Sequence, residues 1–389
     1  MLYVLVNNDY QLQALRRHDI ASHGGGSGVA LITVPHALSS TIATSEFMAV
    51  HRFDTPLGRT RMPLTLWRYC TRAREVAKTL QPGRGDTLLF FTEAEWLNQI
   101  VVQHFRARGA RIVMLEDGGF ATYIPMSVAS SEPLSWRERC VQAAYRLVPG
   151  LAKSRLFKVN GQLFPRLPDS SIDAIGLYQD VPLHRDVAMR RVRKPAVKTC
   201  DIRPGSVIFL NERMYDHYQT AEVYLAGLRH LMRMLTDGFA SVQFKFHPRE
   251  PEDWKRRIRE LLGREFPAVE IIDRPGTIEE MILDYRPEVL ASYFSAALLS
   301  IEYQGIEPLY LYPLLDDLAN QPVFKIATRI LTAWGYRFVG STEEVRSGYR
   351  SGIAADDPSS SIELRQLLWP ADDTESVGDA TQLLHSAPA

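Results

Sequence analysis

The feature that most restricts how this chain can fold is an alternation, run twice, of short apolar segments with longer amphipathic ones. In the first half, Leu2 to Val6, Val29 to Val34, Thr87 to Phe91 and Arg111 to Leu115 are dense in β-branched or aromatic residues, and each runs on into polar or helical sequence. Segments of this kind bounded by polar residues read as buried strands. Between them, Pro63 to Leu80 and Glu93 to Arg108 repeat apolar residues at three- and four-residue spacing, the stripe of a helix packed on a sheet. Strands alternating with helices predict a parallel sheet, whose connections place loops at the strand C-termini.

A charged stretch from about Val181 to Pro204 interrupts the pattern and carries the basic run Arg190, Arg191, Arg193, Lys194 ahead of Pro195. With few apolar residues to bury, it reads as a connection between domains. The alternation then resumes with strands expected at Ser206 to Leu210, Ser241 to Phe246, Val269 to Ile272, near Val289 and at Pro308 to Tyr312, and helices over Ala221 to Leu235 and Glu252 to Leu262. The expected division is a first domain over 1–190, a linker over 191–204, a second domain over 205–353 and a partly frayed tail over 354–389. Two such series imply two Rossmann-like α/β domains facing a central cleft.

A chain of 389 residues can bury two separate cores, and its 46% hydrophobic content is ordinary for a folded enzyme. Lys+Arg and Asp+Glu both count 45. No global field therefore draws the chain to nucleic acid or to an anionic surface, and an anionic ligand must be held locally. Cys70, Cys140 and Cys200 are widely spaced, form no metal-binding cluster and are odd in number, which points to a reducing compartment. The opening MLYVLVNNDYQ lacks the features of a secretory signal. The expected location is the cytoplasm, with peripheral association at the inner membrane compatible with it.

Three short segments carry candidate chemistry. In Leu115-Glu116-Asp117-Gly118-Gly119-Phe120 a strand ends in two carboxylates and two glycines. Acidic groups there point into the cleft of such a sheet and can take a proton from an attacking hydroxyl, and Gly118 leaves room for the acceptor. The plain alternative is an acidic turn capping the next helix. In Phe244-Lys245-Phe246-His247-Pro248-Arg249 an aromatic strand runs into His247, and Pro248 stops the ladder behind it. A histidine there can donate to a phosphate leaving group, with Lys245 or Arg249 adding positive charge; a hydrogen-bonded structural histidine is the competing reading. In Val289-Leu290-Ala291-Ser292-Tyr293-Phe294-Ser295-Ala296 the apolar run breaks at Ser292. Ser295 is placed to offer its hydroxyl to a phosphate, or simply to cap a helix. Glu302, two helical turns on, suits a ribose. Asn211-Glu212-Arg213 follows the first strand of the second series, where cleft residues or a surface turn are equally expected.

The order of these segments resembles that of the bacterial sialyltransferases, including the capsule polysialyltransferases and the lipooligosaccharide sialyltransferases. Those enzymes carry an acidic-acidic-Gly motif in the first domain, then His-Pro and a serine motif in the second. Here Glu116-Asp117-Gly118 and His247-Pro248 match the first two, and Ser295 lies 48 residues beyond His247. Phe294-Ser295-Ala296 departs from the family's usual Ser-Ser or Ser-Thr pair. The resemblance implies a GT-B fold, a CMP-sugar donor on the second domain, a glycan acceptor, and inverting transfer with no required metal or other cofactor. By carry-over, Asp117 or Glu116 is the general base, with Asp117 preferred. His247 and Ser295 engage the CMP phosphate, and Glu302 the nucleotide.

Gly24-Gly25-Gly26-Ser27-Gly28 precedes its strand and so is not a phosphate loop. Asp316-Asp317 reads as a solvated helix start. Competing functions are transfer of another CMP-ulosonic acid, such as Kdo or legionaminic acid, a GT-B-fold UDP-sugar epimerase or hydrolase, and a non-catalytic glycan-binding protein.

Overall fold

The computed structural model describes residues 1–20, 28–37, 46–54, 62–116, 131–159, 161–179, 184–194, 199–216, 218–274, 278–298, 305–346 and 361–370. The first series forms β1 (Leu2–Asn8), α1 (Asp9–Arg17), β2 (Val29–Ala37), β3 (Ala49–Arg52), α2 (Met62–Thr79), β4 (Thr87–Phe90), α3 (Trp96–Ala107) and β5 (Arg111–Leu115). It continues through α4 (Trp136–Tyr145), a hairpin of β6 (Arg155–Val159) and β7 (Gln162–Arg166), β8 (Ala174–Leu177) and β9 (Ala188–Arg191). Apart from the hairpin these strands make one sheet, ordered β3-β2-β1-β4-β5-β8-β9, with every pairing parallel.

The second series forms β10 (Arg203–Leu210), α5 (Ala221–Gly238), β11 (Ser241–Lys245), α6 (Glu252–Glu265), β12 (Glu270–Ile272), α7 (Ile278–Tyr285), β13 (Pro287–Ser292) and β14 (Glu307–Tyr310). It is followed by α8 (Asp316–Ala319), α9 (Pro322–Ala333), α10 (Thr342–Arg346) and α11 (Leu364–Leu368). Its sheet is ordered β12-β11-β10-β13-β14 and is also parallel throughout. This is the two-sheet α/β architecture of the GT-B type.

The reason for strands at these places is burial on both faces. Val4, Leu5, Leu31, Ile32, Leu88, Leu89, Ile112 and Val113 are inaccessible to solvent, as are Val207, Ile208 and Phe209 in the second sheet. Parallel sheets covered by helices on both sides need such continuous apolar runs. Each sheet also reverses its strand order once, between β1 and β4 and between β10 and β13. Loops leaving the strands diverge at a reversal, and ligands bind in the crevice so formed.

Two features modify the expected organisation. Ala188–Arg191 of the charged stretch pairs with β8 as β9, an edge strand whose arginines suit exposure and discourage pairing with another chain. Within the expected tail, α11 returns to the first domain. Leu364, Leu367 and Leu368 are buried against the β1, β4 and β5 side chains, and Ile362 bridges to Val192.

Candidate active site

At the end of β1 the sheet reversal is built from amides. Asn7 Nδ2 donates to the Val34 carbonyl and to Asn98 Oδ1, both at 3.0 Å, and Asn98 Nδ2 returns a bond to Asn7 Oδ1 at 2.8 Å and another to the Thr92 carbonyl at 2.9 Å. The loop after β4 is tied from below by Glu93, whose carboxylate meets the fully buried Arg185 side chain at 2.6 Å and accepts the Leu167 N–H at 2.8 Å. This fixes Glu95, which caps the start of α3 with its backbone and makes no side-chain cap. Burial pushes the Glu95 carboxyl up to about 7, against the opposing field of Arg249. Arg249 belongs to the loop after β11, so a charge from the second sheet's loops reaches a carboxyl in the first's.

In the second domain the loops after β11, β10 and β13 lie side by side because those strands are neighbours. After β11, Phe246 packs into the core and His247 and Pro248 turn out of it. The Arg249 N–H donates to His247 Nδ1 at 3.1 Å, and the His247 carbonyl accepts the Glu250 N–H at 2.9 Å. A neutral His247 therefore carries its proton on Nε2. Burial first, then Arg249 and Arg213, lowers its imidazole to about 4, so the unliganded site holds it neutral near pH 7.

After β10, Asn211 is buried and bonds on every side. Its N–H donates to the Lys245 carbonyl at 2.8 Å, its Nδ2 to Glu250 Oε2 at 2.9 Å, and its Oδ1 accepts the Tyr224 hydroxyl at 2.8 Å. Glu250 also accepts the Tyr215 hydroxyl. This network pins the His247 turn to the end of β10. Next to it, burial holds the Glu212 carboxyl up at about 7, against the opposing influence of the nearby Ser295 side chain. Arg213 pairs with Asp216 and donates to the Arg249 carbonyl at 3.1 Å.

After β13, Ser292 is inaccessible and its hydroxyl donates to the Leu210 carbonyl at 2.9 Å, a link between neighbouring strands. Ser295 is half-buried, and its Oγ accepts the Ala297 N–H at 3.3 Å. Lys245 Nζ donates to the Arg274 carbonyl at 2.8 Å, and burial lowers its ammonium pKa.

The structure thus brings His247, Pro248, Asn211, Lys245 and Ser295 to one edge of the second sheet, with Asn211 and Ser292 occupied by internal bonds. On the first sheet Glu116 is buried. Its N–H donates to the Gly176 carbonyl at 3.0 Å and its Oε2 accepts the Tyr178 N–H at 2.9 Å, so it extends the β5–β8 ladder. Asp117, Gly118 and Glu302 lie outside the described residues. Sequence reasoning overlooked Glu95 and left Glu212 as one member of a turn. The available signal was position, since both follow strands that flank a reversal.

What this edge can do chemically is receive an anion: His247 is neutral with its proton on Nε2, and Arg249 and Arg213 stand close enough to lower its imidazole. Among the described residues no group of three or more His, Cys, Asp or Glu side chains is arranged to hold a metal ion. None of the described helices is long and apolar enough to cross a membrane.

A model of the alpha-2,8-polysialyltransferase family matches residues 34–304, well over half of the chain. No curated protein matches it in sequence. Among solved structures, the chain is similar to a Listeria monocytogenes protein provisionally assigned as a UDP-N-acetylglucosamine 2-epimerase, at 7% identity and a TM-score of 0.50 over 91% of this chain and 92% of that one. It is also similar to the UDP-GlcNAc 2-epimerase of Neisseria meningitidis bound to UDP-GlcNAc, at 9% identity and a TM-score of 0.45 over 91% and 96%. At such identities the likeness is one of fold.

Proposed function

This chain belongs to the alpha-2,8-polysialyltransferase family, and from that premise we propose that it moves sialic acid from CMP-sialic acid to a hydroxyl of a glycan acceptor, with inversion and without a required metal. It is a glycosyltransferase, with a sugar donor and a glycan acceptor as its substrates. The proposed products are surface polysaccharide or lipooligosaccharide.

In the proposed reaction the acceptor hydroxyl gives its proton to the Asp117 carboxylate as its oxygen bonds to the anomeric carbon. The bond from that carbon to the phosphate oxygen breaks, and its electron pair leaves with CMP. Placing base and leaving group in opposite domains suits an in-line displacement, because the two ends must lie on opposite faces of the reacting carbon. Of the two acidic candidates, Glu116 already accepts a backbone N–H, which favours Asp117. His247, neutral and protonated on Nε2, acts as a hydrogen-bond donor to the departing phosphate instead of a full proton donor. Ser295 donates to the same phosphate.

The observation that carries this reading is the His247 turn, where the Arg249 N–H on Nδ1 leaves Nε2–H to face a ligand beside Arg213 and Arg249. The test is CMP release from CMP-sialic acid by wild type, Asp117→Ala and His247→Ala. Loss in both variants with retained folding supports it, and unchanged release in either removes that residue from the reaction.

Peripheral contact with an anionic inner-membrane surface belongs to the same proposal. It is supported by Trp136 and Leu147, which are 65% and 79% exposed beside the exposed Arg137, Arg139 and Arg146.

A further inference from the structure

After β11 the chain makes a four-residue turn in which the His247 carbonyl accepts the Glu250 N–H at 2.9 Å. Pro248 stands at its second position, which the fixed φ of proline suits. The turn also brings the Arg249 N–H to His247 Nδ1 at 3.1 Å. A neutral imidazole has one donor and one acceptor nitrogen. That backbone bond therefore selects the nitrogen that keeps the proton, and with it whether Nε2 can donate to a ligand. It lasts only while the turn keeps its shape.

The side chain of Glu250, the last residue of the turn, anchors that shape. It is 5% exposed, and its two carboxylate oxygens take bonds from two different places. Oε2 accepts from Asn211 Nδ2 at 2.9 Å, at the end of β10, and Oε1 accepts from the Tyr215 hydroxyl in the loop that follows. Both donors are themselves held. The Tyr224 hydroxyl donates to Asn211 Oδ1 at 2.8 Å, which fixes the amide's orientation, and the Tyr215 ring is stacked on Trp254 of α6 with centroids 3.8 Å apart.

An amide and a phenol are neutral donors, so they offset only part of the cost of burying a carboxyl, and burial raises the Glu250 pKa in spite of them. An apolar side chain would pack at lower cost but would hold the turn at no particular angle. Satisfied polar networks do set such angles.

We propose that Glu250 is a positioning residue for the transfer step: by anchoring the turn to Asn211 and Tyr215 it keeps the Arg249 N–H on His247 Nδ1, and so keeps His247 in the tautomer that donates from Nε2. The proposal rests on the reading of His247 as a donor to the departing phosphate, but its effect on the imidazole is visible without any substrate.

The experiment combines nitrogen-15 NMR of histidine-labelled protein, which separates the two tautomers of a neutral imidazole, with steady-state kinetics on CMP-sialic acid. His247→Ala identifies the His247 signals among those of ten histidines. Wild type near pH 7 is expected to show His247 as the Nε2–H tautomer. Glu250→Ala is expected to move its signals toward a mixture of tautomers and to lower kcat about 10- to 100-fold. KM for the donor is expected to stay within about twofold, the pattern of an interaction made in the transition state. Glu250→Gln, whose amide can accept from Asn211 and donate to the Tyr215 oxygen, is expected to restore the tautomer and most of kcat. Should circular dichroism show Glu250→Ala unfolded, Tyr215→Phe removes one of the two bonds and keeps the ring; it is expected to shift both readouts the same way by less, and no shift in either overturns the proposal. A folded Glu250→Ala with the wild-type tautomer overturns it whatever its kcat. A mixed tautomer with kcat unchanged, a loss confined to KM, or a Glu250→Gln as impaired as Glu250→Ala does so too. No turnover of CMP-sialic acid by wild type overturns the donor reading, and the tautomer series then decides the role of Glu250 by itself.

Discussion

Two carboxyls, Glu95 and Glu212, are each held near 7 by burial, and this gives them a cost that can be measured. For a carboxyl raised in the folded protein, stability is full below its unfolded pKa and falls as pH climbs through the folded one. The window here is about pH 4.5 to 7. Glu212→Gln is expected to melt at a higher temperature than wild type at pH 8, by on the order of 1–3 kcal/mol of stability, and to match it at pH 4. Calorimetric melts at the two pH values check both. His247 works in the opposite sense, since it is already neutral near pH 7. His247→Ala is expected to lower kcat about 100-fold or more, the usual cost of one lost donor at a developing negative charge, with steady-state kinetics as the check. At this scale the sequence singles out His247, Pro248 and Ser295 because each ends an apolar run in an unusual way. The Ser292 hydroxyl donates to the Leu210 carbonyl, a partner that composition does not reveal because it does not say which way a strand's last side chain points.

Among the elements, the strands were the legible part. Buried parallel strands must be continuously apolar, so Leu2, Val29, Thr87, Arg111, Ser241 and Glu252 begin or lie within the expected strands and helices. β3, β9 and the β6–β7 hairpin were not, being short and partly exposed. α11 was also hidden, since Leu364, Leu367 and Leu368 sit amid polar sequence and find their partners far back in the chain, as early as β1. Their fit is close. A Cβ on Gly176 of β8 would stand 2.7 Å from Leu367 Cδ2, 2.9 Å from Val192 Cγ2 and 3.0 Å from Leu115 Cδ1. Gly176→Ala is therefore expected to cost about 1–3 kcal/mol by overpacking, read by urea denaturation, and to make the chain before α11 more sensitive to protease. A gain in stability would show that these side chains can give way.

The whole molecule is two parallel sheets, each with one reversal of strand order, and the proposed function puts the substrate between them. Arg249 and Glu95 are the groups whose charges meet across that space. Their coupling is expected to appear in kcat as non-additivity of Glu95→Gln and Arg249→Met by about 0.5 kcal/mol or more in a double-mutant cycle; additive losses would mean that the two charges do not act together in the reaction. Exposed Trp136 and Leu147 lead to a further expectation, that Trp136→Ala/Leu147→Ala reduces cosedimentation with anionic phospholipid vesicles while leaving transfer to a soluble acceptor intact.

The central claim is the donor, and product mass tests it most directly. Purified protein is incubated in EDTA with CMP-sialic acid, CMP-Kdo or UDP-GlcNAc and an α2,8-linked sialic acid oligomer. The account predicts an acceptor heavier by one or more sialic acid residues, with one CMP released for each, from CMP-sialic acid alone. An acceptor left unchanged by CMP-sialic acid, with turnover of UDP-GlcNAc in its place, would contradict it.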